Sequence, residues 1–195
     1  MFTRIGRRIK KINLKLAFVF LIIIVLIYLA LKTPKQQYFL PFFVGGLSLI
    51  IIGEIIRIWA TGHLEKNKSL TTSGPYGYVK NPMYVGSFII MLGFNAIAIN
   101  PYIHYIIAIE VLGFLVYYVP YKRKIEGTRL LDKFGDAYAD YNKSVPDYIA
   151  RRLKAYNGSN SDKRWSKKVF KENNELHVAL SVLAGVIAVT LRFWI

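Results

Sequence analysis

The sequence predicts an all-α, multi-pass integral membrane protein with about five transmembrane helices and its polar loops gathered on one face. Three observations carry this. Long apolar runs recur along a 195-residue chain that is 54% hydrophobic, more than a soluble domain of that length uses. Lysine and arginine flank those runs, although the net charge of +16 could otherwise suggest nucleic acid; flanking cations are what anionic headgroups and cytoplasmic retention require. Helix breakers, Asn100-Pro101 and Pro120, fall at the ends of runs. Nucleic acid is therefore not expected as a partner. With no cysteine and only His63, His104 and His177 as imidazoles, there is no disulfide, thiolate site or cysteine nucleophile, and no metal site is expected.

The first span, about Leu14 to Leu31, follows six cations: Arg4, Arg7, Arg8, Lys10, Lys11 and Lys15. A signal peptide begins the same way, but no small-residue cleavage site follows, so the segment is expected to remain as a helix. At about 1.5 Å per residue it covers about 27 Å, enough to cross with little tilt. The second run, about Tyr38 to Ala60, returns through the bilayer and contains Glu54 and Arg57. At i, i+3 these share one helix face and can pair, either as a structural ion pair or to orient a site. The polar segment Thr61 to Thr72 reads as a loop and carries Lys66 and Lys68, which places it on the cytoplasmic side with the basic N-terminus.

A third helix from about Met83 to Asn100 and a fourth from about Tyr102 to Pro120 form a tight hairpin across Asn100-Pro101. His104 and Glu110 lie on different faces of the fourth and are expected to be satisfied interior polar groups. Residues 121–175 hold fourteen of the 27 lysines and arginines and form a cytoplasmic segment. Ile125, Leu130, Leu131, Phe134, Tyr138 and Tyr141 stand at helical spacing there, as in an extension of the fourth helix followed by a short amphipathic helix after Gly135. The basic 151–171 stretch suits contact with lipid headgroups. Leu176 to Ile195 is the last span. One domain, 1–195, is expected, with no internal repeat.

The chemistry concentrates in residues 73–86, SGPYGYVKNPMYVG. Gly74 can take backbone angles closed to other residues, Pro75 fixes φ, and Pro82 biases Asn81 away from the helical region. A helix starting at Pro82 or Met83 points its first N–H groups and positive dipole end back into this turn, where a carboxylate could be held. His63, the Lys68 to Tyr76 segment, Lys80, Tyr84, Lys122, Glu126 and the Asp136 to Tyr141 helix gather on the same membrane face. A ligand bearing both a carboxylate and an ammonium suits that set.

GPYGYVKNPMYVG, followed about forty residues later by Glu126 and then by KFGDAYADYNKSVP, resembles the signature of the isoprenylcysteine carboxyl methyltransferase and phospholipid methyltransferase superfamily. There the turn reads GPY, then Arg-His-Pro or Arg-Asn-Pro, then Tyr and Gly, and the later element reads Glu-Glu, Leu, Phe-Gly, Tyr, Tyr and Val-Pro. GEIIRIWATGHLEKNKSLTTSG upstream is similar to bacterial and archaeal members, so the likeness covers 53–146. It implies an integral membrane enzyme with a cytoplasmic pocket for S-adenosylmethionine and a lipophilic or small amphiphilic acceptor, lipid included, and no protein partner. By position, Lys68, Ser69, Leu70, Thr71 and Tyr76 line the cofactor, Lys80, Asn81, Pro82 and Met83 sit against it, and Glu126 holds its ammonium group. Lys122 stands where the family places an arginine facing the substrate, and His63 matches an upstream cofactor contact; Glu126 and Lys122 are the catalytic candidates.

Two departures stand out. The turn's usual arginine is Lys80, which keeps the charge without the bidentate fork, and the usual second glutamate is Gly127. The chemistry implied is direct displacement on an activated methyl donor, in which the protein aligns the reactants and excludes water. Two alternatives remain at the level of sequence: an NADPH-dependent reductase similar to sterol reductases, and a non-catalytic membrane protein that retains the fold.

Overall fold

The computed structural model describes residues 39–66, 68–98, 103–151, 154–158 and 160–191; the expected first span and the Asn100-Pro101 break lie outside them. Every regular element among the described residues is helical: α1 (Phe39–Thr61), a 3-10 turn (Gly74–Gly77), α2 (Pro82–Ala98), α3 (Ile103–Leu112), α4 (Val119–Lys122), α5 (Thr128–Ser144), α6 (Lys167–Glu172) and α7 (Glu175–Leu191). Leu40–Thr61 is the one described helix long and apolar enough to cross a membrane, whereas Pro82–Ala98, His104–Val116 and Glu175–Leu191 are apolar but shorter, at 10–17 residues. Large apolar side chains stand exposed along three of these segments, among them Leu40, Val44 and Ile55 on α1, Ile109, Leu112 and Val116 from α3 onward, and Leu180, Leu183 and Ile187 on α7. Such bands suit hydrocarbon rather than water.

Antiparallel α1 and α2 pack backbone to backbone because glycines face each other at two levels. A Cβ on Gly46 would lie 2.6 Å from Gly93 O, and one on Gly53 would lie 2.6 Å from Gly86 O. Small residues at such crossings replace the hydrophobic drive that lipid does not supply. Ile50 and Ile90 fill the space between these levels, Ile97 packs just beyond the Gly46–Gly93 level, and Val189 of α7 joins the cluster.

The expected pairing of Glu54 with Arg57 does not form. Arg57 Nε instead donates to Glu175 Oε1 (2.7 Å) at the start of α7, and Nη1 donates to Ser87 Oγ and to Met83 O (3.5 Å). The guanidinium is thus drawn across the bundle by a carboxylate 118 residues away. Both Glu54 carboxylate oxygens are buried without a hydrogen-bond partner among the described residues. Glu110 is satisfied as expected, accepting from Asn95 Nδ2 (2.7 Å), but His104 is exposed and rests on Tyr105.

The C-terminal end of α1 leaves carbonyls that must find donors, and the segment before α7 supplies them. Trp165 Nε1 donates to Ile58 O (3.0 Å), Ser166 N to Gly62 O (3.0 Å), and Asn173 Nδ2 to Thr61 O and Leu64 O (2.9 Å each). The helix entered at Ile103 continues past Pro120 as far as Gly135. It does so through π-helical windings at Gly113–Tyr118 and Arg123–Gly127, which loosen the ladder around a residue lacking an N–H. The expected break comes at Gly135, with φ 51° and ψ −130°.

Candidate functional site

The turn at 73–82 is set by contacts on both of its sides. Gly74 has φ +58°, and a Cβ there would lie 2.5 Å from His63 Cδ2, so both conformation and close approach require glycine. His63 Nδ1 is 3.0 Å from Ser73 Oγ. Burial pulls this imidazole below its ordinary pKa, against the opposing effect of a hydrogen bond with the Lys163 backbone. Tyr76 N donates to Ser73 O (3.2 Å) and Val79 N to Pro75 O (3.1 Å). Pro82 then opens α2 at its first position, where a missing N–H costs nothing. Asn81 O accepts from Tyr84 N (3.1 Å) and Val85 N (3.2 Å), so the first turn of α2 consumes most of its own donors.

The other side of the turn is stitched to the end of α5. Lys80 N donates to Pro146 O (2.9 Å), and Asn81 donates from N (3.1 Å) and Nδ2 (3.2 Å) to Asp147 O. Tyr141 OH donates to Tyr76 O (2.8 Å). The Asp147 carboxylate bridges Lys80 Nζ (2.9 Å) and the Arg123 guanidinium (Nε 3.0 Å, Nη2 2.6 Å). Burial alone would raise the Asp147 pKa, but the hydrogen bonds from Lys80 and Arg123 prevail and hold it below the ordinary aspartate value.

Lys122 and Glu126 stand beside this turn, one helical turn apart on the π-distorted stretch. Lys122 Nζ is 3.3 Å from Glu126 Oε2 and 3.8 Å from the centre of the Tyr84 ring, a cation–π distance. Burial lowers the Lys122 pKa, and the Glu126 charge opposes it. Tyr76 is raised, chiefly by burial and then by the charges of Tyr84 and Glu126. The Glu126 side chain is 48% exposed. Two buried hydroxyls close by in the chain, Thr71 Oγ1 and Thr72 Oγ1, have no hydrogen-bond partner among the described residues.

The family model described as phospholipid methyltransferase matches residues 41–137, from α1 through the turn and the Lys122–Glu126 pair into α5. The chain belongs to the phospholipid methyltransferase family. The protein-S-isoprenylcysteine O-methyltransferase of Rattus norvegicus is 31% identical over 114 residues, 52% of this chain and 39% of that protein. Its namesake from Schizosaccharomyces pombe is 36% identical over 87 residues, 44% of this chain and 34% of that one. The cobalt-zinc-cadmium resistance protein CzcN of Cupriavidus metallidurans is 30% identical over 118 residues, 60% of this chain and 50% of that one. The chain thus spans between about a third and a half of these curated relatives. No solved structure matches it.

In this phospholipid methyltransferase family member, Tyr76, Lys80, Asn81, Pro82 and Met83 form the turn and the start of α2, and Lys122, paired with Glu126, reaches the first turn of α2 through the Tyr84 ring. Leu70 is buried with Tyr138, Tyr141 and Val145, which brings Thr71 to the same side. Lys68 and Ser69 turn outward: Lys68 Nζ pairs with Glu172 (3.0 Å), and Ser69 Oγ donates to Glu65 Oε2 (2.6 Å), which also takes Lys163. His63 packs beneath Gly74. Lys80 directs its ammonium to Asp147 rather than into open space. Sequence reasoning missed Asp147 and Arg123 as parts of this assembly. The Val-Pro pair just before Asp147 was the available signal, since proline holds the chain extended and exposes the next carbonyl.

Proposed function

We propose that the protein is an integral membrane methyltransferase that takes a methyl group from S-adenosylmethionine and passes it to a lipophilic or small amphiphilic acceptor. Two observations support this reading: Lys122, paired with Glu126, rests on the ring of Tyr84 in the first turn of α2, and two buried hydroxyls just before the turn, on Thr71 and Thr72, lack partners among the described residues. Buried polar atoms without partners call for a ligand or water that completes them. The donor set also fits the proposed cofactor: Thr71 and Thr72 hydroxyls for ribose or adenine edges, the Met83 N–H for a carboxylate, and the Glu126 carboxylate for an ammonium group.

S-adenosylmethionine supplies an activated methyl group on a sulfonium. The chain's own work is positional. Glu126 anchors one end of the ligand, the clamp of Lys80, Arg123 and Asp147 fixes the turn beneath it, and Lys122, held on the Tyr84 ring, presents a positive charge to an acidic acceptor. A carboxylate acceptor is already nucleophilic and needs no base. We further place the N-terminus and the site on the cytoplasmic side, with five spans in all, because the cations of 1–15 and 121–175 flank the apolar runs.

Equilibrium dialysis of the purified full-length protein tests the donor. S-adenosylmethionine is retained and NADPH is not; the reverse would replace the methyltransferase with a reductase. Labelled methyl transfer to a total lipid extract, with the product identified by mass, then names the acceptor. Glu126→Ala abolishes retention of S-adenosylmethionine while the protein stays in the membrane, and wild-type affinity in that variant would refute the placement of the ammonium partner.

A further inference from the structure

Apart from Lys80, one cavity among the described residues is lined by residues other than those proposed to hold the methyl donor. It has a volume of about 630 Å³ and lies between the outer side of the turn (Gly77, Tyr78, Lys80), the end of α5, and the strap that follows it to Tyr156. Tyr156 is held against the turn: its N donates to Gly77 O (2.9 Å), and its ring meets Tyr141 edge-on at 5.5 Å. Gly77 allows this approach, since a Cβ there would lie 3.0 Å from Ala155 Cβ.

Five cations line the cavity, Lys80, Arg123, Lys143, Arg151 and Lys154, against a single carboxylate, Asp147. Asp147 is already shared by Lys80 and Arg123. Lys143, Arg151 and Lys154 have no ion-pair partner among the described residues, so the cavity carries an uncompensated positive charge. Its position relative to the membrane is marked twice. Tyr78 stands 6.4 Å from Trp59 at the end of the spanning helix α1, an aromatic pair of the kind found at headgroup level. Ile149 on the rim is 78% exposed, an apolar side chain that a lipid surface would cover.

We propose that this cavity binds a phosphate-bearing anion, taken from an acidic phospholipid headgroup in the membrane or from a soluble phosphate compound. The cavity lies on the other side of the Lys80, Arg123 and Asp147 clamp from the proposed methyl-donor residues, and of those residues it includes Lys80 alone. Guanidinium groups match phosphate oxygens in pairs, ammonium groups add point charge, and the volume is that of an ordinary small-ligand site.

The test uses the full-length protein in an uncharged detergent, titrated with dihexanoyl phosphatidylglycerol, dihexanoyl phosphatidylcholine and inorganic phosphate, and followed by calorimetry at low and high salt. Phosphatidylglycerol binds saturably, and its affinity falls as salt rises. The combined variant Lys143→Gln, Arg151→Gln and Lys154→Gln weakens it by about tenfold or more while retaining wild-type affinity for S-adenosylmethionine. Competition by inorganic phosphate supports the soluble source; saturation by the lipid alone supports the headgroup. Phosphatidylcholine binding as tightly as phosphatidylglycerol, no saturable binding by any probe, or unchanged affinity in the variant would each overturn the proposal. Because retention of S-adenosylmethionine is read separately, failure here is distinguishable from failure of the methyltransferase reading.

Discussion

Replacing Gly74 with alanine tests the construction of the turn most directly. Its φ of +58° is a left-handed conformation that costs a residue with a Cβ about 1–2 kcal/mol. The new Cβ would also lie 2.5 Å from His63 Cδ2 and 2.6 Å from His63 Nε2, and overpacking of this kind costs about 1–3 kcal/mol. His63 cannot easily yield, being buried and tied to Ser73. The two effects sum to about 2–5 kcal/mol, a large part of a typical stability of ~5–15 kcal/mol, or a fall in Tm of roughly 4–20 °C for a chain of this length. Thermal unfolding in detergent measures it. A double-mutant cycle then separates the causes: on a His63→Ala background the clash is gone, and Gly74→Ala should cost only the ~1–2 kcal/mol of backbone strain. A Gly74→Ala variant within ~0.5 kcal/mol of wild type, or one whose cost is the same with and without His63, would refute the account.

Asp147 gives a pH prediction. Its folded pKa lies below the unfolded value, so its contribution to stability is present above the ordinary aspartate range and disappears as pH falls through the folded pKa. Acidification below about pH 4 should therefore destabilise wild type more steeply than Asp147→Asn, and equal slopes in acid titrations of unfolding would contradict the clamp. Glu175→Gln should cost about 3–5 kcal/mol by leaving the Arg57 guanidinium without its counter-ion, and Arg57→Met with Glu175→Met should recover much of that loss in chemical denaturation. Gly53→Leu drives a side chain into Gly86 O and should prevent recovery of folded protein by size-exclusion chromatography, whereas exposed Gly45→Leu, with open space around it, should not. Gly127→Glu restores the family's second carboxylate where a Cβ meets only Tyr138 OH at 3.6 Å; it should raise thermal stability by up to about 1 kcal/mol through helix propensity, and a loss of that size would show a crowded site.

Much of the site's chemistry could be read in the chain because glycine and proline fix backbone locally. Gly74, Pro82 and Gly135 announce a left-handed turn, a helix start and a helix break, and each needs nothing beyond its own covalent structure. The family motifs were legible for the same reason, since GPYGYVKNPMYVG encodes a turn of fixed shape. Long-range partnerships were not legible. Arg57 had an acidic neighbour at helical spacing in Glu54, and nothing in the local sequence says that Glu175 captures it instead. The extension of the fourth helix was legible in the helical spacing of Ile125, Leu130 and Leu131, but the π winding that carries it past Pro120 was not, because such a winding depends on ladder geometry rather than on any single residue. The glycine faces of α1 and α2 become meaningful only once the two helices are paired.

The link between Arg57 and Glu175 also bears on biosynthesis. The glycine-faced helices can pair as soon as both have left the ribosome, yet the guanidinium at the rim of that hairpin lacks the carboxylate it hydrogen-bonds until the chain has grown past residue 175. The donors that close the end of α1, Trp165, Ser166 and Asn173, arrive equally late. A nascent protein interrupted before its final helix would therefore carry an open, charged seam next to the turn.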